Sequence, residues 1–527
     1  MTNTGDATAT AHEARPIDEL PAEESDRNAN RSTTPESERF KAFIGGGWAE
    51  RDESLPSARP QASYAAARRA RVSAEFPGQR LIIPAGDMKQ RANDTDYPYR
   101  AHSAFAHLTG WGSDSEPGAV LVMEPSGEAA HTATVYFRER AGRDSEEFYA
   151  NAAIGEFWIG PRPSLAHVAA DLQLDTRGIA DLDHVMDAVD TATLVLRDAD
   201  DAVTEKVDHA RLRFAAEAAL STNASDAPFS LEVNAEHEPD VELARVLSEL
   251  RLVKDEFEVA ELRAAIDATE RGFAEVLAEL PRITSEVRGE RVIEGVFATR
   301  ARLDGNDVGY ASIAAAGPHA TILHWTRNDG PVVPGDLVLL DAGVERDTYY
   351  TADITRTFPV NGTFSPVQRQ VYEAVLEAAD AAFRVVKPGA IFREVHAAAM
   401  AVIARRTAEW GFLPVSAEES LKPDTQFHRR YMVHGTSHHL GLDVHDCAQA
   451  RRSMYMDGVL EPGMVFTIEP GLYFQPDDLT VPEEFRGIGV RIEDDILVTA
   501  DGAENLSAGI PRTADEVEAW VRGGTGR

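Results

Sequence analysis

The feature that most constrains this chain is a pattern written twice in its C-terminal half. Two long helical periodicities, 255–280 and 285–303, precede strand-like apolar runs at 309–316, 322–325, 337–344 and 350–360. The order then recurs, with helical patterns at 366–386 and 392–410 and strand patterns at 465–474, from 489–491 onward and at 496–499. Apolar residues at helical spacing mark the helices, and short bounded apolar runs mark the strands. Helix–helix–sheet twice over predicts an internal pseudo-duplication with facing halves, and the seam of such a pair is a natural pocket.

The remainder of the chain has a different texture. At 527 residues it is too long for one core, so two domains are expected. Buried-strand runs at Leu81-Ile82-Ile83, 119–122 and 193–196, with helical stretches at 64–76 and 240–252, predict an α/β N-terminal domain. Residues 1–38 are polar, almost without large apolar groups, and are expected to be a disordered arm. The expected division is therefore 1–38, 39–250 and 251–527, with 138–161 as an exposed loop or irregular insertion. A formal charge of −36 argues against nucleic acid or an anionic membrane as partner. One cysteine, Cys447, no apolar leader and no apolar run of about eighteen residues predict a cytoplasmic protein without a membrane span.

Several ionisable residues stand where strands should be apolar. Asp341 interrupts Leu337-Val338-Leu339-Leu340-Asp341-Ala342-Gly343. A buried carboxylate without a partner is costly, so it needs a metal, a base or a donor. Asp353 follows in Thr351-Ala352-Asp353-Ile354-Thr355-Arg356-Thr357, and a turn near 345–348 would fold both aspartates into one hairpin. Taken singly, either reads as a turn, cap or ion pair, for instance with Arg356; two together repel unless a cation neutralises them or one is protonated. Four histidines, His434, His438, His439 and His445, fall within 434–445 of a chain holding only 16, set among Val, Leu and Gly rather than solvating residues. His439 reads as a bystander. Glu469 and Glu493 also sit within strand patterns, and Glu493 could pair with Arg491 two residues away. Two Asp, two Glu and one His form an oxygen-rich set suited to hard or borderline divalent metals, and four carboxylates carry charge enough for two ions. Such a pair of metals turns a bridging water into a hydroxide nucleophile.

In that order, Asp341, Asp353, His438, Glu469 and Glu493 resemble the metal set of the pita-bread metallopeptidases. The surrounding segments are similar to those of the Xaa-Pro aminopeptidases (aminopeptidase P): Ile322-Leu323-His324-Trp325-Thr326, Asp341-Ala342-Gly343, 352–360, His434-Gly435-Thr436-Ser437-His438, Leu442-Asp443-Val444-His445-Asp446, Glu469-Pro470-Gly471-Leu472-Tyr473 and 487–495. The match runs through nearly all of 251–505, and the N-terminal part resembles that family's first domain around Asp96-Tyr97-Pro98-Tyr99-Arg100 and Leu108-Thr109-Gly110.

The resemblance implies an α+β pita-bread catalytic domain and two bound divalent ions, manganese first among them. Asp341 would be a terminal ligand, Asp353 and Glu493 bridging ligands, and His438 and Glu469 ligands of the second ion. Glu469 would also carry the proton from the bridging water to the departing proline nitrogen. His445, His434 and His324 would donate hydrogen bonds to the substrate carbonyl and to the tetrahedral intermediate. Arg491 and Tyr473 would flank the proline pocket, and Tyr310 would stand near the metals. The implied reaction is release of the N-terminal residue from peptides with proline second, by a homodimer or homotetramer.

Prolidase, confined to dipeptides, shares these ligands and is the nearest alternative. Methionine aminopeptidase shares them without the large N-terminal domain. A metal-free, creatinase-like or binding relative would lack the carboxylates, and all five positions are filled here. A phosphatase would want a basic or glycine-rich cradle, and only Arg491 and Arg356 stand near.

Overall fold

The computed structural model describes residues 34–35, 37–93, 95–221 and 238–524. Most of the expected N-terminal arm, residues 1–33 and 36, lies outside the described residues. Two compact units emerge, one from 1–52, 88–99 and 140–163, the other from 53–87, 100–139 and 164–527.

The smaller unit holds helix Glu38–Gly45, whose first turn is capped by the Ser37 hydroxyl accepting from the Phe40 amide. The stretch 138–161, expected to be an exposed loop or irregular insertion, carries two short helices, Glu147–Ala150 and Glu156–Ile159. Trp48, Phe148 and Phe157 pack edge-on, with ring centroids 5.1 to 5.8 Å apart. Those aromatic contacts are the reason the stretch is ordered, and they were the signal its charged flanks obscured.

In the larger unit, the N-terminal α/β region is a five-stranded mixed sheet. Its spatial order is Asp175–Gly178, His131–Phe137, Val120–Pro125, Arg80–Pro84 and Thr193–Val195. The outermost pairings at both edges are parallel and the inner two antiparallel. Helix Ala62–Glu75 supplies Ala65 and Val72 to the buried side.

The C-terminal half carries the predicted duplication. Helices Glu256–Ala278 and Gly289–Asp304 accompany a three-stranded antiparallel sheet, with Leu337–Ala342 between Ile354–Pro359 and Ile313–Ala316. Helices Pro366–Val385 and Phe392–Glu409 accompany a second sheet, with Asp494–Val498 between Val465–Ile468 and Ala503–Asn505. Asp255 and Ser365 open the first helix of each pair with reciprocal capping boxes, which fix where each repeat begins. The pair Gly471–Tyr473 and Gly489–Arg491 continues toward the first sheet. The two halves join where the Glu493 amide donates to Thr355 O at 3.1 Å and the Thr357 hydroxyl donates to Arg491 O at 2.9 Å. One apolar core runs through both, including Phe273, Phe297, Tyr372 and Phe466. This is the pita-bread arrangement expected from the sequence, behind an α/β N-terminal region.

Two expected strands differ. Residues 322–325 form a turn after the short helix Gly317–Thr321 rather than a strand. The run 465–474 breaks at Glu469-Pro470 into two strands, because proline has no amide hydrogen for a ladder. No described helix is long and apolar enough to cross a membrane.

Candidate active site

Each acidic residue in the seam is delivered by a strand or by the end of one. Antiparallel pairing of Leu337–Ala342 with Ile354–Pro359 sets Asp341 opposite Thr355, two residues from Asp353. The hairpin thus brings both aspartates together, as their spacing predicted. The Tyr310 hydroxyl lies 2.7 Å from Asp341 Oδ1 and 2.6 Å from Asp353 Oδ1, spanning the two carboxylates. Glu493 lies between strands Gly489–Arg491 and Asp494–Val498, where its Oε2 accepts from the Thr355 hydroxyl at 2.6 Å. Glu469 occupies the strand break before Pro470, and that break turns it toward His438, whose Nε2 is 3.5 Å from Glu469 Oε1 and 3.3 Å from Asp353 Oδ2.

A cavity of about 620 Å³ opens over these groups. Asp341, Asp353, His438, Glu469, Glu493, Arg491, Tyr310, His324, His434 and His445 all line it; Tyr473 does not, but its hydroxyl bonds Arg491 and His434, which do. Donor atoms of Asp341, Asp353 and Glu493 lie within 4.8 Å of one another, as do those of His438, Glu469 and Glu493, and those of Asp353, His438 and His445. Carboxylates crowded this way suit a hard divalent cation, and the shared members leave room for more than one.

The electrostatics point the same way. Burial, then the charges of Asp353, Glu469 and Asp341, push Glu493 well above the carboxylate range. Burial also raises Asp341, against the pull of Arg491. Burial lifts Glu469 to about 7, with His438 and Arg491 opposing. Burial works against charge on His438, yet Asp353 and Glu469 carry it up to about 9. The protein alone therefore leaves an excess of negative charge in this cavity, and protons or cations must fill the deficit.

The surrounding pairs revise two expectations. Arg491 bonds Asp341 rather than Glu493, and its other donors reach the Tyr473 hydroxyl at 3.0 Å and the Thr355 hydroxyl at 3.1 Å. Arg356 pairs with Asp494 at 2.7 Å rather than with Asp353. His434 Nδ1 donates to Gly435 O at 2.6 Å, and its Nε2 accepts from Tyr473 Oη at 2.8 Å. Both ring nitrogens are engaged, so a hydrogen bond from His434 to substrate requires one of these to break. Burial and the Arg491 charge push its pKa down to about 3, so it is neutral. His439 is buried, stacked on Phe392 at 4.7 Å, and faces away from the cavity.

Residues 260–500 match the family model described as metallopeptidase family M24, and residues 65–195 match the model for the aminopeptidase P N-terminal domain. Xaa-Pro aminopeptidase 2 of Streptomyces coelicolor is 49% identical over 94% of this chain and 99% of its own length. Xaa-Pro aminopeptidase 1 of the same organism is 51% identical over 90% of each chain. The chain belongs to the aminopeptidase P group of metallopeptidase family M24. A solved Escherichia coli aminopeptidase P variant in complex with substrate superposes with a TM-score of 0.73 at 30% identity, covering 90% of this chain and all of the other. This aminopeptidase P relative is thus a metallo-aminopeptidase, and family membership brings dependence on divalent metal. The carboxylate cluster and its electrostatics fit such a group.

Sequence reasoning missed several groups that complete the aminopeptidase P site. Thr355 is fully buried and bridges Arg491 and Glu493 through its hydroxyl. Asp495, also fully buried, accepts from the Asp353 amide at 3.2 Å. Both lie in strand patterns already noted for an acid neighbour, and alternation alone could have placed Asp495 on the face of Glu493. Leu323, Ile313, Val444 and Tyr455 supply apolar lining and gave no signal of their own.

Proposed function

We propose that this metallo-aminopeptidase releases the N-terminal residue from peptides whose second residue is proline, using two divalent metal ions, most simply Mn2+. The observation that carries the reading is the convergence of Asp341, Asp353, His438, Glu469 and Glu493 on one cavity beside His324 and His445. The printed names of relatives about half identical along nearly the whole chain support the proline preference over the prolidase alternative.

In this proposal Asp341, Asp353 and Glu493 would hold one ion, and His438 and Glu469, with Asp353 and Glu493 beside them, would hold the other. Bound divalent metal would supply Lewis acidity to the scissile carbonyl and to a water. Glu469 takes the proton from the attacking water and returns it to the departing proline nitrogen. His445 and His324, from two separate loops that line the cavity, donate hydrogen bonds to the substrate carbonyl and to the oxyanion that develops from it. Tyr310 holds Asp341 and Asp353 in register through its hydroxyl. Arg491, clamped by Asp341, Thr355 and Tyr473, forms the wall against which proline packs, and His434 fixes Tyr473. Residues 39–250 are proposed as the N-terminal domain and 251–527 as the catalytic domain, in a cytoplasmic homodimer or homotetramer.

Metal-stripped protein restored with manganese would be offered Arg-Pro-Pro, Ala-Pro and Met-Ala-Ser. Cleavage of the first with little action on the second supports the proposal. Cleavage of Ala-Pro alone makes it a prolidase, Met-Ala-Ser alone points to methionine removal, and no cleavage rejects the substrate class.

A further inference from the structure

His324 reaches the cavity from the loop 317–330, and no hydrogen bond or ion pair among the described residues fixes its ring. Its position must therefore come from the backbone that carries it. That backbone is gathered onto a single carboxylate. Glu290, in the first turn of helix Gly289–Asp304, is fully buried. Its Oε1 accepts from the Ala316 amide at 2.8 Å and from His319 Nδ1–H at 2.7 Å. Its Oε2 accepts from Trp325 Nε1–H at 2.9 Å and from the Gly330 amide at 2.6 Å. Four donors from the entrance, middle and exit of one loop thus satisfy one buried anion, which offsets the desolvation a lone carboxylate would suffer there.

The surroundings reinforce this geometry. The His319 ring stacks on Trp325 at 3.9 Å, and Leu323 and Trp325 pack against Ile313, Leu339 and Tyr473. The Glu290 amide in turn donates to Gly330 O at 3.1 Å. A Cβ on Gly330 would stand 2.7 Å from His319 and 2.8 Å from Glu290 Oε2, so only glycine lets the loop close onto the acid. His324 is the residue immediately before Trp325, one peptide unit from a bond to Glu290.

We propose that Glu290 is a positioning residue for His324: it clamps loop 317–330 so that the His324 ring projects into the cavity at the height of the reacting carbonyl. The inference rests on the role proposed above for His324. Replacement by glutamine keeps size and shape but swaps one acceptor oxygen for a donor, which faces either the His319 and Ala316 donors or the Trp325 and Gly330 donors. The loop must then shift, and a misplacement of about 1 Å costs on the order of 100-fold in rate.

The test is a double-mutant cycle in manganese-restored enzyme on Arg-Pro-Pro, comparing Glu290→Gln, His324→Ala and the pair. The expectation is a kcat loss of about 10- to 100-fold in Glu290→Gln with KM nearly unchanged and metal content intact. The double variant should then be no slower than His324→Ala alone, because the clamp acts only through that ring. Trp325→Phe, which removes one of the four donors and keeps the apolar contact, should show a smaller kcat loss that also vanishes in the His324→Ala background, and it serves if Glu290→Gln does not fold. Full kcat in both clamp variants, or losses that multiply with that of His324→Ala, would overturn the inference while leaving the proposed reaction standing. Full turnover by His324→Ala itself would overturn the proposed role of His324 and the clamp's purpose with it.

Discussion

Removing the metal should make this enzyme progressively less stable as pH rises from about 5 to 8. The reason lies in acids whose charged forms the folded protein disfavours. Burial lifts Glu469 from 4.5 to about 7 and raises Asp341 and Glu493 in the same direction. For an acid whose folded pKa is raised, the stabilisation from holding its proton is fully present below the unfolded pKa and lost as pH climbs through the folded value. With Glu469 the window runs from about 4.5 to about 7. At about 1.4 kcal/mol per pH unit, its share alone is on the order of 3 kcal/mol. For a chain this long, each kcal/mol moves Tm by about 1 °C, so Glu469 contributes a fall of roughly 3 °C and its neighbours add to it. Bound divalent metal replaces those protons, so loaded enzyme should lack this part of the fall and should release protons on loading. Differential scanning fluorimetry of chelator-treated and manganese-restored protein across pH 5–8 reads both curves. Glu469→Gln in the metal-free state controls for the general effect of a charge of −36, and should flatten the slope. A metal-free Tm that does not fall with pH, or a slope unchanged in Glu469→Gln, would refute the reasoning.

Three further outcomes follow from other parts of the molecule. Arg356 is fully buried and donates to Asp494 and to the carbonyls of Glu493, Pro511 and Ile510, so Arg356→Met should cost about 3 kcal/mol in urea unfolding; a loss under about 1 kcal/mol would show that Arg512, whose Nε also lies 2.6 Å from Asp494 Oδ2, alone compensates it. His445→Ala should cut turnover about 100- to 1000-fold with metal content unchanged, since a lost oxyanion donor costs that order of rate; loss of metal on elemental analysis would make His445 a ligand instead. Two hydrogen bonds from Arg430 hold Asp478 down to about 2, so its contribution is present above about pH 4 and lost as pH falls through about 2. With Arg430 half exposed, that share is on the order of 1 kcal/mol, and acid titration of Asp478→Asn should show a correspondingly shallower acid limb.

Much of the site was legible because its chemistry contradicts its surroundings. Asp341 inside an apolar strand and Asp353 across a short turn had to meet, and the observed pairing of Asp341 with Thr355 places them as the spacing implied. Glu469 was legible for the same reason, and Pro470 beside it explains why the long strand expected over 465–474 is two. Partner choice was not legible. Arg356 and Arg491 were read against the nearest acid in sequence, whereas Asp494 and Asp341 hold them, from 138 and 150 residues away. Glu290 escaped notice because an acid in the first turn of a helix looks like an ordinary complement to the helix dipole. Its donors lie 26 to 40 residues downstream, in a run whose apolar residues mimicked a strand. The stretch 138–161 was read through its charges as an exposed loop or irregular insertion, while Phe148 and Phe157 carried the packing.

In the proposed site Asp341, Asp353, His438, Glu469 and Glu493 together would hold two divalent ions. Anomalous diffraction from crystals of manganese-restored enzyme tests it most directly. Two peaks about 3.5 Å apart are expected, with Asp353 and Glu493 between them, His438 and Glu469 beside one and Asp341 beside the other. A single peak, or metal bound away from these carboxylates, would contradict it.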